Sequence, residues 1–447
     1  MSFLDTRGFR LWFAVFVLFT GIAGDFWRDL LTWYGWGVIV ALVVAGSVVL
    51  LVHNRHTVRL QKLPYPLIAF LGLAVISIAW SQYRIESVMG TAAQVITTLA
   101  AVAVAVTLSW PELLTVLGRV FKLVLGLSFL FEFVVAAIIR TPIYPVWVTP
   151  ESNPAKLLYW SRDLLFQAGK IQGIVGNSSL LAMAALLGLI VFALQLATRT
   201  VRPVSGWIWL IVALALIAIT QSATIFLALA AVVIVAAAVL LIRSSSSPRG
   251  RTARYGIIAV VVVVAVVVSV IERTAILHLL GKSSDFTGRS EIWSKVIALA
   301  QQHPAAGWGW ISYWVPWVAP FDHLIVKGGV QVLHAHNAWL DVWLQLGILG
   351  LIVFGAFVLS TLVRSWLFSV DKVIDTRSGV GSYSWLTALP LLMFVAQLVQ
   401  SLAESRMLVE GGWMLLVIWA VKTKWVPTIP PLAVQAKPGQ VRTKTPA

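Results

Sequence analysis

The longest polar interval of the chain opens with Thr287-Gly288-Arg289-Ser290-Glu291-Ile292-Trp293. It continues through His303-Pro304-Ala305-Ala306-Gly307-Trp308-Gly309 and reaches His334-Ala335-His336-Asn337. A long apolar segment that carries Gly347 and Gly350 follows. The rest of the chain is largely hydrophobic, so chemistry on a substrate outside a membrane is expected in this interval.

The composition indicates a protein embedded in a lipid bilayer. The chain has 447 residues, of which 60% are hydrophobic and only 11% are charged, whereas a soluble protein carries about 25% charged residues. Apolar runs of roughly 18 to 25 residues recur along the chain, and each is long enough to cross the hydrocarbon layer as a helix. We therefore expect an all-α polytopic membrane protein.

These runs predict about twelve membrane spans. By residue number the spans are 11–24, 30–52, 64–80, 91–109, 120–139, 171–197, 206–219, 223–242, 255–271, 337–363, 385–402 and 413–421. Residues 272–335 then form a large loop between the ninth and tenth spans, and residues 140–170 form a second long loop. Loops of this length in a compact protein are usually functional.

The basic residues orient the predicted spans. Most of the 33 Lys and Arg residues fall on the side that holds the N-terminus, and basic loops stay in the cytoplasm. Both termini are therefore expected inside, and both long loops outside the cytoplasmic membrane. No small-residue cleavage site follows the first apolar run, so a removed signal peptide is not expected. We expect one membrane domain over residues 1–425 and a basic, disordered cytoplasmic tail over residues 426–447.

Charge and cysteine content exclude several classes of function. The net charge of +16 comes largely from the loops that orient the spans, so no nucleic-acid partner is expected. The chain has no cysteine, which excludes disulfides, thiol nucleophiles and thiolate metal sites. It also has no Asp-x-Asp pair that would hold a divalent ion. We expect neither a metal nor a cofactor.

Residues 288–302 are predicted to form a helix within the large loop. Thr287 is a suitable N-cap, and the His-Pro pair after the segment ends it. Ile292, Val296 and Leu299 share one face of this helix. The helix is therefore expected to be amphipathic and to lie along the membrane surface.

Arg289 falls in the first turn of that helix. A cation there opposes the helix dipole, unless the free N–H groups and the guanidinium bind a phosphate together. The alternatives are that Arg289 reaches lipid headgroups or pairs with Glu291 or Asp285.

His334 and His336 lie just before the tenth span, where Asn337 is a good helix cap. Two histidines at this spacing, without a carboxylate or a third histidine, are a weak metal signal. A neutral imidazole at the membrane surface suits proton abstraction from a hydroxyl. The alternative is an interfacial histidine bonded to its own loop. Gly347 and Gly350 are expected to permit close helix packing.

Two acidic residues, Glu132 and Asp341, fall within predicted spans, where an unpaired charge is costly. Asp341 lies about one helical turn below His336 and is expected to orient a neighbour of the site. The sequence suggests no partner for Glu132.

Together these segments resemble the bacterial O-antigen ligases and their relatives, the O-antigen and exopolysaccharide polymerases. The features that carry the resemblance are His336-Asn337 followed by Gly347 and Gly350, the segments 287–293 and 303–309, and Gly173-Ile174-Val175-Gly176-Asn177. The resemblance covers mainly residues 170–420. It does not separate a ligase from a polymerase.

The resemblance implies an all-helical, GT-C-like membrane glycosyltransferase. Its donor would be a glycan on undecaprenyl pyrophosphate, and its acceptor a glycan or a lipid. Arg289 would contact the pyrophosphate and His336 would activate the acceptor hydroxyl, without a metal. Both residues would then converge at the outer face of the cytoplasmic membrane, toward the periplasm or cell exterior. A pyrophosphate leaving group needs cations or N–H donors close to it, which agrees with this arrangement.

One departure from the family concerns a second phosphate contact. The family often has an Arg after a Ser near the start of the eighth span, whereas this chain reads Gln221-Ser222-Ala223-Thr224. The residues expected to bind substrate besides Arg289 are Lys170, Arg162, Arg406, His334 and Asn337. For Arg406 the alternative is a local ion pair with Glu404 or Glu410.

The sequence leaves two alternative functions. A transporter or flippase of lipid-linked saccharide should place charge at mid-membrane and show repeated halves, and this chain shows no repeat. A different lipid-phosphate glycosyltransferase would use Asp25 and Asp29, in the first outside loop, as its base. The alternative for these two acids is that they only mark the end of a span.

Overall fold

The computed structural model describes residues 6–56, 60–149, 155–271, 289–374 and 381–425, and in this part of the chain the fold is almost entirely helical. The α-helices are α1 (Arg7–Ile22), α2 (Gly24–His53), α3 (Tyr65–Ser77), α4 (Arg84–Thr107), α5 (Trp110–Val134), α6 (Ser178–Ala197), α7 (Pro203–Thr220), α8 (Ala223–Arg243), α9 (Pro248–Ile271), α10 (Arg289–Ala300), α11 (Ala338–Val370), α12 (Leu389–Ser401) and α13 (Glu410–Trp425). One π-helical turn, Val135–Ile139, continues α5.

The remaining regular elements are short. Turns of 3-10 helix lie at Leu60–Lys62, Lys156–Leu158, Leu165–Gln167, Gly173–Val175, Trp385–Ala388 and Arg406–Leu408. Two antiparallel hairpins consist of β1 (Val326–Lys327) with β2 (Val330–Gln331), and of β3 (Val373–Ile374) with β4 (Gly381–Ser382). In the first hairpin Val326 is opposite Gln331, and in the second Val373 is opposite Ser382.

Helices account for the predicted membrane spans. Each of the twelve predicted spans overlaps a helix of the described residues. Among the described residues, seven helices are long and apolar enough to cross a membrane: α2, α4, α5 with its π-helical turn, α6, α7, α8 and α11. The protein is thus a helical membrane protein, as predicted, whereas the count of twelve spans stays a prediction. The predicted tail, 426–447, lies outside the described residues.

Side-chain caps fix where several helices begin. Asn177 accepts hydrogen bonds from the backbone at the start of α6, and Asn337 does the same at the start of α11. Ser109 and Glu112 form a reciprocal capping box at α5. Such caps satisfy N–H groups that have no partner inside the helix, and losing one costs on the order of 1 kcal/mol. The prediction that Asn337 caps a helix is confirmed.

Helix α11 is broken at Gly347, which has a φ of 66° and a ψ of −162°. Across the break, backbone hydrogen bonds of 2.9–3.1 Å join residues 304–309 to residues 344–349, with N–H groups donated from both sides. A side chain at Gly347 would overlap the carbonyl of Ala305. The expectation that Gly347 serves close helix packing is therefore wrong, because its left-handed backbone opens the helix and lets the loop bond to it.

Helix α10 belongs to a second apolar core, separate from that of the main bundle. Ile292, Val296 and Leu299 are buried there against loop residues that include Trp308 and Trp314. The predicted apolar face of this helix is correct, but it contacts the protein itself and not a membrane surface. The loop supplies enough large aromatic side chains to cover the face. The predicted cap, Thr287, lies outside the described residues.

The two ends of the bundle carry different charged groups. At one end, called here the far end, Lys422 Nζ donates to the carbonyls of Ala105 and Leu108 at 3.2 and 2.5 Å. Arg10 donates to the carbonyl of Thr107 beside them at 3.0 Å. These cations cap the C-terminus of α4, where the helix dipole is negative. The opposite end, where α1 ends and α13 begins, contains His336 and is called here the site end.

Glu132 is satisfied by a remote loop. Its carboxylate accepts from the N–H groups of Gln172 and Gly173, at 2.9 and 2.7 Å, and from the hydroxyl of Ser161 at 2.8 Å. Three donors stabilise a buried carboxylate. These bonds hold the 161–173 loop against α5, so Glu132 organises the entry into α6.

Candidate active site

Arg289 and His336 meet at a single carboxylate, that of Glu404. Arg289 Nη2 donates to Glu404 Oε1 at 2.7 Å, and His336 Nδ1 lies 2.9 Å from Glu404 Oε2. The side chains of Arg289, His336 and Glu404 are 17%, 28% and 11% exposed. Arg289 opens α10, His336 precedes α11 and Glu404 follows α12, so tertiary packing brings them together. Arg289 and His336 thus lie at one site, as expected, and their catalytic roles stay predictions.

The environment of Glu404 keeps it ionised. Burial raises the pKa of this carboxyl, but the hydrogen bond and charge of His336 and the charge of Arg289 outweigh burial and lower it to about 2. A charged carboxylate only accepts hydrogen bonds, so Nδ1 of His336 carries the proton. In a neutral imidazole Nε2 is then the unprotonated nitrogen, which is the atom that can take a proton from a substrate.

The backbone around His336 fixes the direction of its ring. His336 has a φ of 49°, in the left-handed region that few residues other than glycine adopt. Asn337 N–H donates to the hydroxyl of Ser405 at 3.2 Å, and Ser405 in turn donates to Asp341. Asp341 also accepts, at 3.0 Å, from the N–H of the residue preceding His336. Asp341 therefore orients the neighbours of His336, as the sequence analysis expects.

His334 supports the ring of His336 from one side. Its Nδ1 accepts from the backbone N–H of His336 at 3.1 Å, and the two ring centroids are 4.0 Å apart. Burial lowers the pKa of His334 to about 3, and the nearby charges of His336, Arg406 and Arg289 act in the same direction. His334 is therefore neutral at physiological pH and holds the backbone. Its predicted substrate contact stays a prediction.

The residues His334, His336 and Glu404 also have the composition of a metal site. One ligand atom from each lies within 4.8 Å of the others. However, Nδ1 of His334 accepts a backbone N–H, and both oxygens of Glu404 already accept from Arg289 and His336. A metal ion would have to share the carboxylate with the guanidinium of Arg289, which carries charge of the same sign. The arrangement fits a hydrogen-bonded base better than a metal centre, and the expected absence of a metal stays a prediction.

Part of this site lies in a segment that is similar to a known protein family. A family model described as O-antigen ligase matches residues 208–355. These residues belong to the O-antigen ligase family. No curated protein matches the chain. The O-antigen ligase segment runs from α7 into α11 and contains Arg289, His336, the 304–309 loop and Gly347, whereas Glu404 lies beyond it.

Four charged residues form a closed ring at the site end, beside the O-antigen ligase segment. They are Asp25 and Arg28, in the first turns of α2, Arg406, and Glu410 at the start of α13. Arg28 donates to Asp25 and, at 2.6 Å, to Glu410. Arg406 lies 3.0 Å from the other oxygen of Glu410 and 3.5 Å from the other oxygen of Asp25. The charges alternate and cancel, as a partly buried cluster requires.

The contacts of this ring bear on the alternative interpretations of Arg406 and Asp25. Arg406 forms the ion pair with Glu410 that was its alternative interpretation, and a phosphate would have to compete with two carboxylates for it. Asp25 is committed to both arginines, and Asp29 accepts from the indole N–H of Trp147 at 3.1 Å. Asp25 therefore lacks the environment of a free catalytic base, whereas a base role for Asp29 stays untested. The substrate contact predicted for Arg406 stays untested.

The other two predicted cations lie in the loop before α6. Lys170 is exposed, and Arg162 is partly buried. The Nε of Arg162 is buried and has no hydrogen-bond partner among the described residues. Neither residue has an ion pair with Glu404 or with another described residue, so the structure does not join them to Arg289, His336 and Glu404.

Neither the role of Glu404 nor the closure of the ring by Arg28 and Asp25 was predicted from the sequence. The signal available was the segment 401–412, where three charged residues (Glu404, Arg406 and Glu410) occur between two apolar spans. Polar residues this dense at a membrane boundary usually mark a functional site. Apart from the Arg406–Glu410 pair, their partners are 68 to 382 residues away along the chain, and spacing alone cannot identify those partners.

Proposed function

We propose that this protein transfers a glycan from undecaprenyl pyrophosphate to an acceptor hydroxyl at the outer face of the cytoplasmic membrane. The observation that carries the proposal is the single carboxylate, Glu404, that holds a guanidinium on one oxygen and an imidazole on the other. The O-antigen ligase segment that contains both of these residues supports the same class of reaction.

His336 acts as the general base. Glu404 fixes the Nδ1–H tautomer and stabilises the imidazolium that forms when Nε2 accepts the acceptor's proton. The acceptor oxygen forms a bond to the anomeric carbon of the donor sugar while the bond from that carbon to the phosphate oxygen breaks. The proton stays on His336 Nε2, and undecaprenyl pyrophosphate leaves as an anion.

Arg289 stabilises that leaving group. One nitrogen of its guanidinium is used by Glu404, which leaves further N–H donors for a phosphate oxygen. Arg289 is also the first residue of α10, so the N–H groups of the first helical turn lie nearby. A helix N-terminus and an arginine together form an anion site.

The charge distribution supports an outward-facing site. Lys422, Arg10 and Lys424 bind backbone carbonyls at the far end of the bundle. Since basic residues resist translocation, the far end is assigned to the cytoplasm. The site end then faces the periplasm or the cell exterior, where a lipid-linked glycan is presented.

The test uses the full-length protein in vesicles that contain a lipid-linked glycan donor and an acceptor. We expect His336→Asn to lower kcat by about 10²–10⁴-fold, because the base is removed. His323→Asn is the matched control, since His323 is an exposed histidine of the same loop that also has a positive φ. Asn tolerates that backbone conformation at both positions.

A second variant tests the donor contact. Arg289→Ala should raise KM for the lipid-linked donor, whereas Lys295→Ala, an exposed cation on the same helix, should not. Release of free undecaprenyl pyrophosphate distinguishes transfer from flipping, because a flippase returns the donor intact. Wild-type release by His336→Asn would remove the proposed mechanism.

A further inference from the structure

A basic patch of Arg249, Arg251 and Lys372 lies at the far end of the bundle, where α9 begins and α11 ends. Helix α11 begins beside His336 at the site end, so its last residue lies at the far end. Arg251 of α9 donates to Asp371, which directly follows α11, at 2.6 Å. The patch therefore joins two helices on one side of the bundle, away from the proposed active site.

A buried cation holds the base of this patch together. Arg243, the last residue of α8, donates to the carbonyl of Ser369 at 2.8 Å and to the hydroxyl of Thr387 at 2.7 Å. Its guanidinium also lies over the rings of Tyr383 and Trp385, at 5.4 and 5.7 Å from their centres. Arg243 is buried, so its charge ties α8 to α11 and to the segment before α12 and is not presented to the surroundings.

The three cations of the patch, by contrast, face outward. Arg249 and Lys372 are exposed, and neither forms an ion pair with another residue that the structure describes. Arg251 shares its charge with Asp371, but both side chains of this pair stay accessible, at 33% and 54% exposed. The patch therefore has N–H donors available for an anion, and charge-assisted hydrogen bonds to phosphate are among the strongest that such donors form.

Aromatic rings accompany these cations. Lys372 Nζ lies 5.7 Å from the centre of the Tyr383 ring, and the guanidinium of Arg251 lies 5.9 Å from that of Tyr255. Tyr255 in turn accepts a hydrogen bond from the indole N–H of Trp366 at 3.2 Å. Tyrosine and tryptophan beside lysine and arginine are typical of the boundary between lipid headgroups and acyl chains.

Exposed apolar stripes run from the patch toward the middle of the bundle. On α11 the stripe consists of Leu359, Val363 and Leu367, and on α9 it includes Ile257 and Val261, all of them exposed. Residues four apart lie on one face of a helix. Each stripe is therefore a continuous apolar surface that ends at the level of the cations.

We propose that the basic patch binds the headgroup phosphate of an anionic phospholipid, whose acyl chains lie along the exposed stripes of α9 and α11. The stripes favour a lipid over a soluble phosphate, which would gain nothing from them. With the far end assigned to the cytoplasm, this lipid belongs to the cytoplasmic leaflet. Its binding is independent of the proposed reaction, because Arg289 and His336 lie at the opposite end of the bundle.

The direct test measures lipid binding to the full-length protein by native mass spectrometry. The probes are phosphatidylglycerol and phosphatidylcholine with the same acyl chains, and we expect the wild type to bind phosphatidylglycerol more tightly. The triple variant Arg249→Gln, Arg251→Gln, Lys372→Gln should weaken phosphatidylglycerol binding about 10²-fold, because each of three cations loses its attraction to the headgroup. Its binding of phosphatidylcholine should not change.

The matched control removes the same charge from the same end of the bundle. The triple variant Arg55→Gln, Arg199→Gln, Arg202→Gln replaces three exposed cations at the ends of α2 and α6, and it should bind phosphatidylglycerol like the wild type. Equal weakening in both triple variants would overturn the proposal, since the lipid would then respond to net charge alone. Equal affinity of the wild type for the two lipids would overturn it as well.

Thermal unfolding gives an independent measurement and shows that the variants are folded. Phosphatidylglycerol should raise the Tm of the wild type and of the control variant, but not that of the patch variant. Inorganic phosphate at the same concentration should leave all three Tm values unchanged. A Tm increase with inorganic phosphate that equals the increase with phosphatidylglycerol, and that the patch variant loses, would show a site for a soluble anion and refute the lipid site.

Discussion

Glu404→Gln tests the centre of the mechanism, because it removes a charge while nearly preserving shape. The carboxylate holds Nδ1 of His336 at 2.9 Å and Arg289 Nη2 at 2.7 Å. A hydrogen bond to a charged group contributes about 1.5–3 kcal/mol. Loss of that contribution to the imidazolium in the transition state lowers kcat about 10–10²-fold.

The assay is release of undecaprenyl pyrophosphate in vesicles, with kcat and donor KM measured separately. We expect a loss in kcat, because Glu404 positions His336, and a smaller change in donor KM, because it also holds Arg289. Glu291→Gln is the matched control, because in the part of the chain that the structure describes the ion pair of Glu291 is with Lys295, on the exposed face of α10. Unchanged kcat in Glu404→Gln, or equal losses in both variants, would refute the reasoning.

The pH dependence follows from the same contact. The folded-state pKa of Glu404 lies below its unfolded value, so its contribution to stability is complete above about pH 5 and is lost as the pH falls toward 2. Titration of Glu404 therefore cannot shape the activity profile between about pH 6 and 8. The Tm advantage of the wild type over Glu404→Gln should shrink as the pH falls from about 5 toward 2.

Three further predictions concern the scaffold and the ligands. Gly347→Ala should lower Tm, because the residue has a φ of 66° and no room for a Cβ. Gly355→Ala on the same helix meets open space and should leave Tm unchanged or higher. Equal Tm values for the two variants would contradict the close contact between Gly347 and the 304–309 loop. Chelation with EDTA should leave undecaprenyl pyrophosphate release unchanged, since both oxygens of Glu404 already accept hydrogen bonds, from Arg289 and His336. A loss of release that one divalent ion restores would establish a metal centre. Lys422→Met should lower Tm without changing kcat per folded molecule, because the carbonyls at the end of α4 lose their cation. An unchanged Tm would show that this cap does not stabilise the protein.

Helix positions could be predicted because they depend on local information. Apolar length identifies a span, and Asn337 ahead of an apolar run identifies a helix start, whatever the rest of the chain does. The polarity of residues 287–337 likewise indicated where chemistry is concentrated, and Arg289 and His336 do lie together.

Partners across the bundle could not be predicted for a physical reason. Glu132 is satisfied largely by backbone N–H groups of a remote loop, and every residue of that loop except proline carries such a donor. The break at Gly347 depends on hydrogen bonds to residues 304–309 that form only after both segments pack. The left-handed φ of a single glycine within an apolar run gives no sign of which loop will fill the gap.

The partners of the candidate phosphate-binding cations could not be predicted from the sequence either. The contacts that each cation makes in the structure give an expected order for the second phosphate contact. Arg28 and Arg406 are neutralised by Asp25 and Glu410, so a donor phosphate would have to break a closed ring to reach either one. An arginine that is partly buried and lacks a partner has more to gain from an anion than an exposed lysine that is already solvated.

That comparison favours Arg162, whose buried Nε has no hydrogen-bond partner among the described residues. We expect Arg162→Ala to raise KM for the lipid-linked donor by about tenfold, the loss of one charge-assisted hydrogen bond, while Lys170→Ala, in the same loop but exposed, changes it little. The opposite ranking, with Lys170→Ala the more harmful, would mean that the donor's phosphates lie in the exposed part of the loop and not against its buried side.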